Sequence, residues 1–532
     1  MLLQDTVTRT AQTRPEAIAL VSGSARLTYG ELDALSNRTA RLLNHLGCRK
    51  GDRVALLLPK SIPAIVGMLA ALKLGAVYVP LDTASPAARL GKIIDVCQPK
   101  FILSTTPGTA LLTTLKAERC IGDDIQVGWL EDSRPTTPHF SIAFDWRDCL
   151  STSAAPLAGN TTDADPAHIL FTSGSTGTPK GVVITHRSVA HFLEWATRYF
   201  GTAASDRISC HPPLHFDLST FDIYGTFLAG AELHLLPPDT NLLPTTLAAF
   251  IRDRELTQWF SVPAALKYMA SFDVLRQNDF PALKRILWCG EALPVPTLIY
   301  WMQRLPHATF TNLYGPTETT IASSYYTVPR SPSSETAGIP IGMACDGEDL
   351  LVLDDSLATV SPGTVGELYI AGVGLSPGYW RDPEKTASVF IEWKGRRIYK
   401  TGDLAKTGPD GLIYLLGRSD TQIKSRGYRI ELGEIETALQ SLVGVRECAV
   451  VAIPSSGFEG NAICCAYVSG SPGDGSPTQL CKQLARLLPP YMLPSHWTHF
   501  DKLPLNGNGK IDRPLLRRQF QEIIAQTTSA RS

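Results

Sequence analysis

No stretch of this 532-residue chain is apolar for long enough to cross a bilayer. The richest, Ser61 to Leu72, is broken by Lys73 and has the length of a buried helix. The N-terminus, MLLQDTVTRTAQTRPEAIAL, lacks the basic start, apolar run and small-residue cleavage site of a secretory leader. Lysine and arginine are scattered and the net charge is only −1, so there is no electrostatic footprint for nucleic acid or an anionic membrane. The eleven cysteines form neither CxxC pairs nor a metal-ligand spacing, and the adjacent Cys464-Cys465 lie in an apolar, strand-like run. They are expected to be reduced core residues of a cytoplasmic protein. No internal repeat or heptad run is present.

What is present is an ordinary globular composition, 44% apolar and 19% charged, which excludes a mostly disordered chain. The length predicts one large region plus a smaller one. Between about Asp165 and Tyr326, short apolar runs (HILFT, RISC, ELHLL, TQWFS, RILWC) alternate with helix-period segments such as Ser188–Phe200 and Pro263–Phe272. That alternation is the mark of α/β layers. The first 160 residues alternate similarly, with VALLL at 54–58 before Ile62–Lys73, and Ser331 to Gly378 is richer in turns and strands. Beyond Gly417 the pattern changes to TQIKS, a helix over Gly433–Leu442, CAVVAI, AICCAYV, a Gly/Ser/Pro loop at 469–477 and a helix over Gln479–Leu488. The expected organisation is an α/β N-terminal region of several layers, residues 1–417, and a small α+β C-terminal domain, residues 418–532.

Five segments carry chemistry. In Thr172-Ser-Gly-Ser-Thr-Gly-Thr-Pro-Lys180-Gly181, glycines permit positive φ, so successive amides can form an anion nest to which hydroxyls and Lys180 add donors and charge. Lys180 is followed by Gly181 rather than Ser or Thr, so this is not a Walker A loop. Asn312-Leu-Tyr-Gly-Pro-Thr-Glu318 combines an aromatic face, a hydroxyl and a carboxylate, a set able to stack a base and hold Mg²⁺. Tyr399-Lys-Thr-Gly-Asp403 ends a strand-like run in an acid that could bridge two ribose hydroxyls, and Gly417-Arg418-Ser-Asp420 repeats that polar pairing. Asn508-Gly-Lys510-Ile-Asp-Arg513 puts a lysine in a turn-prone segment. Taken singly, each also reads as a surface turn.

In order and together, STGTPKG, NLYGPTE, YKTGDL, GRSDTQIKSRGYRIELGEIE and NGNGKIDR resemble the acyl-adenylate-forming superfamily, and specifically the amino-acid adenylation domains of nonribosomal peptide synthetases. The resemblance spans nearly the whole chain, through LTYGEL at 27–32, LKLGAVYVPLD at 72–82, GELYIAGVGLSPGYW at 366–380 and LPPYMLP at 488–494. It implies a large adenylate-forming domain with a small mobile C-terminal one. It implies that Thr172, Ser173, Gly174, Ser175, Thr176 and Lys180 embrace pyrophosphate. Tyr314 would stack on adenine beside Gly290-Glu291-Ala292, Asn312 and Gly315. Thr317 would bind the α-phosphate, Glu318 would ligate Mg²⁺, and Asp403 with Arg418 would hold the ribose. Lys510 would bridge the substrate carboxylate and the α-phosphate, with a hinge at Ser419-Asp420.

A carboxylate attacking an α-phosphate is anion meeting anion, so such an enzyme works by electrostatics and positioning rather than through a nucleophilic side chain. In His215-Phe216-Asp217-Leu-Ser219 the resemblance assigns Asp217 to a substrate α-ammonium, which favours an α-amino acid; the competing reading makes Asp217 a helix cap before Leu218–Leu228. The same motifs give the side-chain pocket as Leu218, Phe221, Ser261, Leu287, Cys289, Leu313, Ile321 and Ala322. These residues carry no charge, so the pocket should reject Asp, Glu, Lys and Arg. The expected substrate is L-proline, or otherwise a small neutral amino acid such as cysteine or alanine. ATP and Mg²⁺ are the expected cofactors, and a separate phosphopantetheine-bearing carrier protein is the expected partner. The alternatives are an acyl- or aryl-CoA ligase and a catalytically silent binding module of the same fold.

Overall fold

The computed structural model describes residues 1–135, 139–174, 177–237, 240, 243–334, 338–454, 460–469, 475–507 and 510–529. The chain divides into two compact units. The first is Met1–Thr83, Ile94–Phe171 and Gly181–Ser419; the second is Ala84–Ile93, Thr172–Lys180 and Asp420–Ser532.

Three sheets build the first unit. A nine-stranded sheet runs in the order Met343–Ala344, Ser324–Thr327, Thr309–Tyr314, Arg285–Trp288, Gln258–Ser261, Arg207–Cys210, Glu232–Leu235, Ile18–Ser22 and Ala25–Thr28. Its six central strands, from Thr309–Tyr314 to Ile18–Ser22, are parallel. A seven-stranded sheet holds Ile142–Asp145, Gln126–Trp129, Phe101–Ser104, Arg53–Leu57, Val77–Pro80, Pro166–Thr172 and Lys180–Thr185. An antiparallel five-stranded sheet spans Glu348–Leu353 to Ile413–Arg418. The runs RISC, ELHLL, TQWFS and RILWC all fall on parallel strands. Parallel strands are covered on both faces, which is why they read as unbroken apolar runs rather than alternating ones.

The helix Ile62–Leu74 shows how sequence sets the layers. The Ser61 hydroxyl accepts from the Ala64 amide, Pro63 sits in the first turn, and Gly75 ends the helix at φ +74°. Every residue from Ala64 to Leu72 is buried, so the helix is core on all sides. A Cβ at Gly67 would come within 3.1 Å of Leu103 and 3.3 Å of Leu56, so glycine lets this helix lie close to the seven-stranded sheet. LTYGEL is a capping box: the Thr28 hydroxyl accepts from the Glu31 amide while the Glu31 carboxylate accepts from the Thr28 amide, starting helix Tyr29–His45.

The second unit is α+β. Val445–Pro454 and Asn461–Ser469 pair antiparallel, with His496–His499 parallel beside the latter. One face packs Cys448, Val450 and Cys465 with Ile435 and Leu439; the other packs Val451 and Cys464 with Leu516 and Phe520. The adjacent cysteines therefore point to opposite faces of one strand. All eleven cysteines are free, and nine are buried. Among the described residues no helix is long and apolar enough to cross a membrane.

Two helices differ from the sequence reading by more than two residues at an end or in kind, while the one expected over Gly433–Leu442 is Leu432–Gln440. The one expected over Gln479–Leu488 is Pro477–Leu484, because Pro489 disfavours helical φ/ψ at the residue before it and the chain leaves through turns at Leu487 and Leu488. The expected helix over Leu218–Leu228 is instead Leu218–Thr220 and Thr226–Ala229 joined by a π turn at Phe221–Gly225. A π turn inserts one residue into the helical register and is frequent at functional sites.

Candidate active site

Neighbouring parallel strands end side by side, and their carboxyl ends carry the predicted residues, the usual place for a ligand in an open α/β sheet. Arg207–Cys210 leads to His215-Phe216-Asp217, Gln258–Ser261 ends in Ser261, Arg285–Trp288 leads to Cys289 and Gly290-Glu291-Ala292, and Thr309–Tyr314 ends in Tyr314. Leu218, Phe221, Leu287, Cys289, Leu313, Ile321 and Ala322 all belong to one apolar cluster, each no more than 4% exposed. Phe221 stands edge-on to Phe192 and Phe260, with ring centroids 5.4 and 5.8 Å away. Ser261, the polar member of the set, is buried and accepts from the Trp259 indole at 2.9 Å. Asp217 is 9% exposed and its side chain makes no capping hydrogen bond, so the helix-cap reading does not account for it.

Tyr314 donates its hydroxyl to Asp403 Oδ2 at 2.5 Å, and Arg418 donates to Asp403 Oδ1 at 2.6 Å. Asp403 and Arg418 face each other across strands Arg396–Thr407 and Ile413–Arg418. Burial, reinforced by the Asp403 charge, pushes the Tyr314 hydroxyl well up, so it stays a donor. Asn312 donates to the Pro340 carbonyl at 2.8 Å.

Between Tyr314 and the returning strand Ser324–Thr327 the chain makes a strained turn. A Cβ at Gly315 would come within 2.6 Å of Ala322 Cα, so only glycine fits. Thr317–Thr319 is one 3₁₀ turn; Thr320 and Ile321 then take φ +60° and +70°. The Ala322 amide donates back to the Thr320 carbonyl at 2.9 Å across Ile321, which is the rare form of γ-turn. Positive φ at two β-branched residues costs on the order of 1–3 kcal/mol each. Glu318, on this turn, is fully buried and accepts from the Tyr379 hydroxyl at 2.7 Å.

Thr172, Ser173, Gly174 and Lys180 lie in the second unit; Ser175 and Thr176 lie outside the described residues. Ser173 donates to the Arg429 carbonyl at 2.6 Å, and the Gly174 amide meets the Glu434 carboxylate, which also pairs with Arg89. Of the loop's described glycines only Gly177 has positive φ, +80°. Gly174 is required for another reason: a Cβ there would come within 2.1 Å of the Thr178 carbonyl. Lys510 is exposed, its amide donating to Asn506 Oδ1 at 3.1 Å. Asn508 lies outside the described residues. The boundary between the units falls between Ser419 and Asp420, whose carboxylate accepts from the Gln422 amide at 3.1 Å.

Two residues escaped the sequence reading. Tyr379, the partner of Glu318, sits inside GELYIAGVGLSPGYW at 366–380 but gives no chemical signal of its own. Lys60 donates to three successive carbonyls, Cys210 at 2.5 Å, His211 at 2.7 Å and Pro212 at 3.2 Å, the start of the segment that carries Asp217. Burial pulls the Lys60 ammonium down, against the pull of buried Asp222 in the π turn. Burial also pushes the Asp222 carboxyl well up.

These features define a class: ligases that activate an acid as its adenylate. The chain belongs to the AMP-binding enzyme family, whose model matches residues 7–380, and the AMP-binding enzyme C-terminal domain matches residues 434–510. It is 35% identical to an L-proline–[L-prolyl-carrier protein] ligase of Streptomyces coelicolor, over 92% of this chain and 91% of that one. Surfactin synthase subunit 2 of Bacillus subtilis is also 35% identical, over 97% of this chain but 14% of that much longer protein. The solved adenylation domain AlmE of Vibrio cholerae, in complex with glycyl-adenosine-5′-phosphate, superposes with a TM-score of 0.84 at 26% identity, covering 98% of both chains.

Proposed function

We propose that this ligase activates L-proline as prolyl-adenylate, releasing pyrophosphate from ATP, and passes the prolyl group to the phosphopantetheine thiol of a separate carrier protein. The observation that carries the reading is the uncharged, tightly packed cluster of Leu218, Phe221, Leu287, Cys289, Leu313, Ile321 and Ala322 following Asp217. A charged side chain placed there would be a buried unpaired ion. Asp217 receives the substrate ammonium by a charge-assisted contact. The S. coelicolor relative supports proline, and the glycyl-adenylate complex of AlmE supports a small neutral amino acid as the second choice.

Tyr314 presents its ring to adenine, and its hydroxyl together with Arg418 fixes the Asp403 carboxylate for the ribose hydroxyls. Thr172, Ser173, Gly174 and Lys180 take the departing pyrophosphate with Ser175 and Thr176. Thr317 holds the α-phosphate, and Lys510 offsets the negative charge of the attacking carboxylate.

Glu318 fits a Mg²⁺ site. Among the described residues no group of three or more His, Cys, Asp or Glu could hold a metal alone. Mg²⁺ needs no such cage, since one or two carboxylates plus substrate phosphates and water hold it, and Glu318 supplies the carboxylate. When bound, the ion neutralises charge on the triphosphate.

Amino-acid-dependent ATP–pyrophosphate exchange across the proteinogenic set tests the proposal. Proline should give the highest rate and the charged residues background; a preference for arginine or glutamate would overturn the pocket reading. Transfer to coenzyme A rather than to a carrier thiol would favour the acyl-CoA ligase reading.

A further inference from the structure

Glu348 stands at the start of strand Glu348–Leu353 in the five-stranded sheet, 9% exposed, and no motif points to it. Its Oε1 accepts from the Gly374 amide at 2.7 Å, while the Gly374 carbonyl accepts from the Thr320 hydroxyl, also at 2.7 Å. Oε2 is buried and makes no hydrogen bond to a described residue. The carboxyl lines a small cavity with Thr319, Thr320 and Ala322 of the strained turn, and with Ser188 and His191 of helix His186–Phe200. A Cβ on Gly374 would meet the Thr319 carbonyl at 2.7 Å and Glu348 Oε1 at 2.9 Å, so sheet, glycine and turn are packed without slack.

We propose that Glu348 is a positioning residue for adenylation: through the Gly374 backbone and the Thr320 hydroxyl it holds the strained 317–322 turn, which carries Thr317 and Glu318 on one side and Ile321 and Ala322 on the other. Two consecutive β-branched residues at positive φ persist only where neighbours over-determine them, and in this turn the Thr320 side chain is tied to Gly374. The assignment rests on the adenylation reading of Thr317 and Glu318. A carboxylate is expensive in this position, because ionisation would leave Oε2 buried and unpaired; the neutral acid suits it. Burial accordingly pushes the group up to about 8, with Asp349 adding to the rise and the Gly374 amide opposing it. Cys345 and Asp346 on the approach to its strand and His191 across the cavity are the other titratable groups facing it, Asp346 being paired with Arg198.

The sign of the pH effect follows. The folded value lies above the ordinary 4.5, so any opening of the turn that exposes Glu348 becomes about tenfold easier per pH unit between about 4.5 and 8, and levels off above 8. Glu348→Gln keeps an acceptor for the Gly374 amide and abolishes the titration.

Amide hydrogen exchange of the peptide covering residues 313–324, corrected for intrinsic rates and followed from pH 5.5 to 9 in the full chain, tests this without reference to substrate. The wild type should lose protection as pH rises to about 8, Glu348→Gln should hold it throughout, and Glu348→Ala should be at least tenfold less protected at pH 6. In ATP–pyrophosphate exchange with whichever amino acid the wild type uses, Glu348→Ala should lower kcat at least tenfold and Glu348→Gln should restore it. If Glu348→Ala does not fold, the wild-type against Gln comparison decides alone. The same pH dependence in Glu348→Gln as in the wild type, or full turn protection in Glu348→Ala, overturns the proposal. Absence of exchange with every amino acid would overturn the substrate reading and leave the hydrogen-exchange result standing.

Discussion

The Tyr314 hydroxyl and Asp403 Oδ2 lie 2.5 Å apart, so the ring proposed for adenine and the acid proposed for ribose are one hydrogen-bonded pair. Tyr314→Phe keeps the ring and removes the donor, leaving Arg418 on the other oxygen. Losing a hydrogen bond of ~1 kcal/mol should raise the KM for ATP about fivefold with kcat little changed. Tyr314→Ala should do considerably more. Steady-state exchange kinetics in ATP separate the two; equal effects would mean that the hydroxyl, not the ring, carries the binding.

Asp217→Ala should reduce amino-acid-dependent exchange by at least about 10²-fold, as expected when a buried charge-assisted partner is removed. Calorimetric ATP affinity should change less than about threefold. A variant with near-normal kcat/KM for its amino acid would show that the ammonium is bound elsewhere.

Adenylation and thioester formation should respond differently to changes in the second unit. Lys510→Ala is expected to slow adenylate formation by on the order of 10² or more while largely sparing transfer from supplied aminoacyl-adenylate. Asp420→Pro, which fixes φ near −65° at the unit boundary, should impair progress from the first step to the second. Single-turnover measurements of each half-reaction decide; equal losses in both steps for Lys510→Ala would show that the lysine does not serve the first step alone.

Acid stability should depend on His186. It is 1% exposed, its Nδ1 accepts from the Leu3 amide at 3.2 Å, and burial pulls it down to about 4. The unfolded chain takes up this proton near pH 6.5 and the folded chain only near 4. The contribution of His186 to stability is therefore fully present above 6.5 and is lost, by roughly 3 kcal/mol, as pH drops to 4. Chemical denaturation midpoints of the wild type, taken relative to His186→Gln at each pH, should fall over that window whatever Glu348 and other groups contribute; a difference independent of pH would assign the acid sensitivity to other groups.

Strands such as Gln258–Ser261 and Arg285–Trp288 were legible because both faces are covered and every residue is buried. Capping at Thr28 and Ser61 is equally local, but the sequence reading did not single it out. The π turn at Phe221 was not legible, since one inserted residue leaves a 3.6 period almost intact over so short a segment. Lys60 reads as a solvated lysine after a strand, and Glu348, in Asp-Gly-Glu-Asp, reads as an exposed turn; only tertiary packing buries them. Residues 84–93 and 172–180 group with 420–532 through contacts far apart in sequence, which no local pattern encodes.

The cluster assigned to the substrate side chain is continuous with the main apolar core, sharing it with Leu20, Leu69 and Phe227. On the proposed assignment, substrate choice and thermodynamic robustness are coupled properties of the same side chains. Leu287→Ala or Leu313→Ala, made to admit a bulkier amino acid, would also leave a void in the nine-stranded sheet's packing, costing about 2–5 kcal/mol where the enlarged substrate does not refill it. A lineage or an engineer retuning this pocket would have to gain stability elsewhere first, and exchanges that conserve volume among Leu, Ile and Met offer the most passable route to a new specificity.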